Sequence, residues 1–463
     1  MGVLWGRQPS YKKIPGELIK PGDGVNTFNS PFEIKKSEGV STLNTSSRQH
    51  PALSVRAGTT AMYGTVASPI GTVNGVGTRN GTTPIFQDGT TWKQWNGTAF
   101  ANIATSYANT KATIMEFNTA ASRFTLLMNG TEKKAWDGSS VTSLTDAPAT
   151  RLITVDDFRI YALTGSFLYY SAGGSATDWT TVDDAGRKVL AGMIGTGTAV
   201  ISYNGMKIAF SDQTMHIIYG STPADLEAMD PIMAGCVSHD SMIVLGNILY
   251  FLDYGKYKAF TGGMPLDISQ KVKGYLENIN YTYMANICAG QWGKYIYLSI
   301  PYGEAQTTNN LTLEYDTDLK VWHVWNIGFS GFYNIGEDLF GVTTGGVVKK
   351  MQQGTADDAT AITWEHVFGV WDATPVRNRK VLSDIWCVVD LPVGSTLNIS
   401  YSETVDGGFT SLYDFTANAN EQNTRVQVPV SALYDLSWYR LKVSGVGPCT
   451  IHYLEPYVRV KTR

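Results

Sequence analysis

Apolar residues along this chain come in short runs and in strict alternation, seldom at helical spacing. Leu397-Asn398-Ile399-Ser400-Tyr401 and Thr424-Arg425-Val426-Gln427-Val428 alternate apolar and polar, which is the period of a strand with one buried and one wet face. Ile208-Ala209-Phe210 and Leu249-Tyr250-Phe251-Leu252 are unbroken apolar runs, as in strands covered on both sides. The best helical segments, Lys271–Asn278 and Thr222–Met229, are each about two turns long and carry no sustained i, i+3, i+4, i+7 stripe. The pattern predicts an all-β chain.

The strands recur in a unit. Trp95-Asn96-Gly97-Thr98 closes one copy and Trp136-Asp137-Gly138-Ser139 closes another, 41 residues later. Tyr219-Gly220-Ser221 and Phe260-Thr261-Gly262-Gly263 occupy the same place further on, again 41 apart. Tyr315-Asp316-Thr317-Asp318 followed by Trp322-His323-Val324-Trp325 is a longer variant. A period of about 40 is one four-stranded blade of a β-propeller. Such a sheet buries its faces poorly alone and well when packed around an axis, with aromatics at the contacts between blades. Blades are expected at 71–103, 111–144, 150–182, 188–230, 236–268, 283–325 and 330–352, with 52–66 completing the short last one. The expected ring has six or seven blades, seven preferred.

Outside the ring the character changes. Ala373–Arg379 reads as a linker. Val381–Val389, Ser395–Ser402, Thr424–Val430, Ser437–Val443 and Thr450–Val460 read as alternating strands of a β-sandwich. Residues 1–50 are rich in Pro, Gly and Asn and read as an extended N-terminal arm that a partner orders. The expected division is therefore an arm at 1–50, a β-propeller at 51–373 and a C-terminal β-sandwich at 374–463.

Composition narrows the function. Charged residues make up 16% of the chain, well under the ~25% of an ordinary soluble chain, and Gly, Thr, Ser and Asn take their place. The 36 basic and 40 acidic residues nearly cancel. Apart from pairs such as Lys12-Lys13, Lys133-Lys134 and Lys349-Lys350 there is no basic run, so nothing in the sequence suggests a grip on nucleic acid. No signal peptide and no membrane-spanning run of ~18 apolar residues is read. Cys236, Cys288, Cys387 and Cys449 have no zinc-ribbon spacing and read as buried thiols of a reducing cytoplasm, although Cys387 and Cys449 fall in one domain.

A search for chemistry is mostly negative. There is no nucleophile elbow, zinc-protease helix or phosphate loop. The histidines at 50, 216, 239, 323, 366 and 452 share no spacing. Asp156-Asp157, Asp183-Asp184 and Asp357-Asp358 read as turn residues, because neighbours on a strand point to opposite faces and cannot share a substrate. Ser402–Thr410 resembles the Asp-box turn of sialidase-type propellers, a structural motif. No catalytic, cofactor-binding or metal-ligating residue is assigned, no cofactor is expected, and the chain reads as a non-enzyme.

One resemblance remains. Gly24-Val25-Asn26-Thr27-Phe28-Asn29-Ser30-Pro31-Phe32-Glu33-Ile34, then Glu38–Asn44 and Arg56-Ala57-Gly58, resembles the opening of bacteriophage tail nozzle (tail tubular or stabilisation) proteins. Tyr169–Trp179, Ile208–Gly220, Gly235–Ser238 and Leu249–Gly263 are similar to the central blades of the same family. The resemblance implies a structural virion protein of a short tail: a ring, a homohexamer by expectation, below the portal and adaptor proteins. Such a ring lines the DNA exit channel, lets DNA pass without specific contacts and supports tail fibres or tailspikes at its rim. The alternative is a receptor- or glycan-binding propeller of tail-tip or lectin type.

Overall fold

A computed structural model describes residues 10–14, 17–63, 70–119, 122–156, 158–371, 380–405, 407–430 and 436–462. The expected linker at 373–379 lies outside them. The chain separates into two compact units. One comprises Met1–Thr59, Glu314–Trp325 and Gln352–Arg463, the other Thr60–Leu313 and Asn326–Met351.

The second unit is a β-propeller. Each sheet is an antiparallel meander of four strands in chain order. The first runs Val73–Arg79, Thr83–Asp88, Thr91–Trp95 and Phe100–Ala104. Five more follow, starting at Thr113, Ile153, Gly197, Ile243 and Cys288, the last of them ending in Val321–Trp325, a segment counted above with the first unit. The seventh starts at Phe329 and takes its fourth strand, Thr60–Ala61, from near the other end of the chain, paired with Lys349 and Lys350. Innermost strands of neighbouring sheets touch, the turn His239–Ser241 bridges the fourth and fifth sheets, and the seventh innermost strand returns to the first. The ring is therefore closed by contact, and the Thr60–Ala61 pairing ties the two ends of the repeat together.

Two features of the sequence make this ring. Innermost strands use small residues where backbones crowd the axis: a Cβ on Gly75 would lie 2.6 Å from Ala112 O, and one on Gly331 2.8 Å from Val76 Cγ2. Further out, aromatics fill the gaps between sheets. Trp92 meets Trp136 at 6.2 Å, Phe210 meets Phe251 at 4.8 Å and Phe86 meets Tyr333 at 5.7 Å. The recurring Trp-Asn-Gly and Trp-Asp-Gly elements are side-chain-capped turns. Asn96 Oδ1 accepts from the Thr98 and Ala99 amides, Asp137 Oδ1 from the Ser139 and Ser140 amides, and Gly97 and Gly138 supply φ of 100° and 108°.

The observed sheets follow the expected segments, with one extension: the third continues past 182 to Gly186–Val189. Helix is nearly absent, as expected, but Thr222–Met229 is not helical. Asp225 Oδ1 accepts from the Ser221 and Thr222 amides to make a turn, and Glu227–Ala228 is the fourth strand of its sheet. The other segment holds a short 3-10 turn and the helix Lys273–Glu277.

In the first unit two sheets share one core. The six-stranded sheet contains Thr45–Ser46, Leu53–Val55, Lys380–Leu391, Glu421–Pro429 and Thr450–Thr462, with Ser10–Ile14 paired to the last. The five-stranded sheet orders Gly39–Leu43, Thr363–Trp371, Tyr439–Val446, Thr396–Ser402 and Thr410–Thr416. Ile385, Cys387, Val389 and Leu391 alternate inward from one sheet, Leu397, Ile399, Leu441 and Val443 from the other, into one cluster.

The domain boundaries differ from those expected. Thr363–Trp371, assigned to the propeller from sequence, is an interior strand of the five-stranded sheet, because its Trp364, Phe368 and Trp371 have their apolar partners there. The described residues of the expected arm at 1–50 are not extended throughout: Gly39–Leu43 and Thr45–Ser46 are strands of this unit. Their turn-rich composition hid short strands, of which Gly39–Leu43 pairs with the remote Thr363–Trp371 and Thr45–Ser46 with the nearby Leu53–Val55.

Candidate functional site

The propeller holds a cavity of about 170 Å³ at its innermost strands. Its walls come from the starts of the first, second, sixth and seventh sheets and the turn before the fifth; Lys111, Thr113, Asp240, Cys288 and Ser330 line it. Lys111 stands just before the second sheet, and its Nζ donates to Ser330 O at 3.2 Å. Arg151 holds the equivalent place before the third sheet, 40 residues on. It donates to both oxygens of Asp240 at 3.2 Å. Lysine, arginine and aspartate from three segments thus converge near the axis.

The electrostatics set the protonation state of each member of this cluster. Burial pushes the Asp240 carboxyl up, but Arg151, Lys111 and His239 outweigh it and hold the group below its usual range. A carboxylate so held is a poor general base at neutral pH. Burial pushes the Cys288 thiol up to about 12, with Lys111 pulling the other way, so little thiolate is present to attack a substrate. His239 is driven down to about 4 by burial and is neutral at pH 7. What the cavity can do is hold water or a small polar group.

The acidic pairs singled out in the sequence brace the fold. Asp156 bonds Lys207 at 2.8 Å and Ser202 at 2.9 Å; Asp157 lies outside the described residues. Asp184 pairs with Arg159 at 2.6 Å, while Asp183 adopts a turn φ of 66°. Asp357 receives Arg56, and Asp358 also has a turn φ, 56°. Asp406 of the Asp-box-like segment is outside the described residues. The four cysteines are free and buried.

The segment that carries the family resemblance is built into the first unit. Asn26 Nδ2 donates to Glu38 Oε2 at 2.9 Å, and its Oδ1 accepts from the Phe28 amide at 3.1 Å. Arg56 is buried; it donates to Asp357 Oδ1 and Oδ2 at 3.0 and 2.5 Å and to Asn44 Oδ1 at 2.9 Å, and lies 4.7 Å over Trp325. Gly58 has no room for a side chain, since a Cβ would lie 1.9 Å from Ala356 O. Thr45 bonds His323 at 2.9 Å, Ser47 bonds Asp316 at 2.7 Å, and Arg48 pairs with Glu314 at 3.2 Å. His323 and His366 are both driven down to about 3, chiefly by burial.

Sequence reading missed the axial triad, because its members are far apart in the chain and each is an ordinary residue locally. The 40-residue step from Lys111 to Arg151, matching the blade period, was the available signal. It also missed a basic ribbon. Ser10–Ile14 pairs with Thr450–Thr462 so that Lys13 stands opposite Arg459 and Tyr11 opposite Lys461.

No helix among the described residues is long and apolar enough to cross a membrane. No protein-family model and no curated protein matches the chain. Among solved structures, BamB from Moraxella catarrhalis is 10% identical, covering 65% of this chain and 91% of its own at a TM-score of 0.43. A streptogramin B lyase is 10% identical, covering 62% and 94% at 0.43. The extracellular domain of the hybrid two-component system BT4673 from B. thetaiotaomicron is 9% identical, covering 80% and 47% at 0.46.

Proposed function

We propose that this chain is a structural component of a short bacteriophage tail, a non-enzymatic nozzle subunit that assembles as a ring below the portal and adaptor. The observation that carries this reading is the fate of the resembling segment. Asn26, Glu38, Asn44, Arg56 and Gly58 are spent on buried hydrogen bonds, an ion pair and close backbone packing within one unit. Residues used this way specify an architecture. The axial cluster supports the same reading, because its one carboxylate is neutralised by Arg151 and its thiol is kept protonated. The ring's task is mechanical: to form the DNA exit channel, with a homohexamer as the expected closure and fibres or tailspikes as neighbours in the virion.

Mixing the purified protein with a portal–adaptor complex tests this by mass photometry. A discrete mass increment on the complex is the expected outcome. A monomer that ignores the complex but binds defined oligosaccharides on an array would instead favour the receptor-binding reading.

A further inference from the structure

The cavity at the propeller axis has hydrogen-bonding capacity that the fold does not use. Lys111 on its wall donates from Nζ to Ser330 O at 3.2 Å. An ammonium carries three N–H donors, so this bond leaves others to offer. Asp240, on the turn His239–Ser241, forms another part of the wall. Arg151 Nη1 donates to both of its oxygens at 3.2 Å, yet the Asp240 side chain keeps 26% exposure. A carboxylate has about four lone-pair sites, so Asp240 can accept further bonds. Thr113 also lines the cavity. It is 8% exposed, and its Oγ1 has no hydrogen-bond partner among the described residues, a costly state for a buried hydroxyl.

The charges favour an anion, and of a particular kind. Lys111 and Arg151 outweigh Asp240, and the same three groups set the field at Cys288 and His239. Among the described residues no group of three or more His, Cys, Asp or Glu could hold a metal ion, and a cation here would meet two positive side chains. A bare anion, however, would meet the Asp240 carboxylate. Against the pull of burial, Arg151 and Lys111 hold that carboxyl below its usual range, so at neutral pH it can only accept. An oxyanion that keeps a proton meets both demands. Val76, Ile114, Ala289 and Phe332 supply apolar wall, and a low-dielectric surround strengthens charged hydrogen bonds. The volume of about 170 Å³ is many times the ~10–15 Å³ that one water needs.

We propose that the axial cavity binds a small protonated oxyanion, of the chemistry of hydrogen phosphate, which accepts from Lys111 and donates to Asp240. Thr113 adds its hydroxyl through a change of χ1 rotamer. The guest joins the start of the second sheet to the turn before the fifth, beside the seam where the seventh sheet meets the first. The site belongs to a single propeller and does not depend on assembly into a ring.

Phosphate and sulfate separate this from simple charge attraction. Both are tetrahedral ions of similar size, and at neutral pH only phosphate carries a proton. The full chain is titrated with sodium phosphate and, separately, with sodium sulfate at matched ionic strength by isothermal calorimetry. Phosphate should bind saturably, one per chain, and sulfate about tenfold or more weaker, because it cannot donate to Asp240. Lys111→Met should weaken phosphate by about tenfold or more. Asp240→Asn, whose amide can donate, should narrow the phosphate-to-sulfate ratio. Melting curves establish that the variants are folded, and the comparison of the two ions on wild type needs no variant. No saturable binding of phosphate up to about 10 mM would mean that the cavity holds water only. Equal affinity for the two ions, or phosphate binding untouched by Lys111→Met, overturns the assignment. So does calcium binding that Asp240→Asn abolishes, which would make this a cation site.

Discussion

Removing Arg56 tests whether the resembling segment is structural. Its side chain is fully buried, while that of its partner Asp357 keeps 26% exposure. Breaking a buried ion pair by deleting one member costs about 3–5 kcal/mol, mostly from the charge left behind. The two halves are therefore unequal. Arg56→Ala leaves Asp357 near water and still accepting from Thr59 N at 3.1 Å and Thr59 Oγ1 at 3.0 Å, so the cost falls near ~3 kcal/mol, including ~1 for the lost stack on Trp325. Asp357→Ala strands a buried guanidinium, so the cost approaches ~5 kcal/mol. The double substitution should cost less than the two added, by ~2 kcal/mol or more. Urea unfolding followed by tryptophan fluorescence measures all three, with the transition of the unit holding Arg56 fitted separately. A cost under ~1 kcal/mol for either single change, or a milder effect of Asp357→Ala than of Arg56→Ala, would show that this pair does not hold the unit together.

Other predictions follow from burial. His323 and His366 sit at about 3 in the folded chain against 6.5 as free groups. The unfolded chain thus takes up protons the native state refuses. Stability is full above pH ~6.5 and lost as pH falls toward 3, at up to ~1.4 kcal/mol per pH unit for each histidine. His366→Phe should flatten the fall in unfolding free energy, measured by urea titration between pH 6 and 4, by about that amount per pH unit; an unchanged slope would rule the mechanism out. Gly75→Ala should cost ~1–3 kcal/mol, because its Cβ meets backbone at 2.6 Å. Gly263→Ala, with nothing within 4 Å, should change thermal stability little. Burial pushes the thiols of Cys236, Cys288, Cys387 and Cys449 up, so a thiol reagent should label none in the native protein and all four after denaturation.

Much of the propeller was legible because its turns are local chemistry. Trp95-Asn96-Gly97 and Trp136-Asp137-Gly138 announce the hydrogen bonds they make. The alternation in Leu397–Tyr401 and Thr424–Val428 likewise announced strands with one buried face. Boundaries were less legible where pairing partners are remote. Gly39–Leu43 pairs with Thr363–Trp371 more than 300 residues away, and neither segment shows alone which unit it completes. Thr222–Met229 misled because Asp225 favours a turn as readily as a helix start. The axial cluster and the basic ribbon were hidden for a related reason: each is assembled from distant segments whose own sequences carry no motif.

As a nozzle subunit, this chain would work only as a ring. Class averages of the wild-type protein in vitreous ice, at the concentration where mass photometry shows assembly, test it most directly. Closed rings with one rotational symmetry and a mass that is a fixed multiple of 50.6 kDa, six by expectation, are the expected result. Particles that remain single chains at every concentration, with or without the portal–adaptor complex, would contradict it.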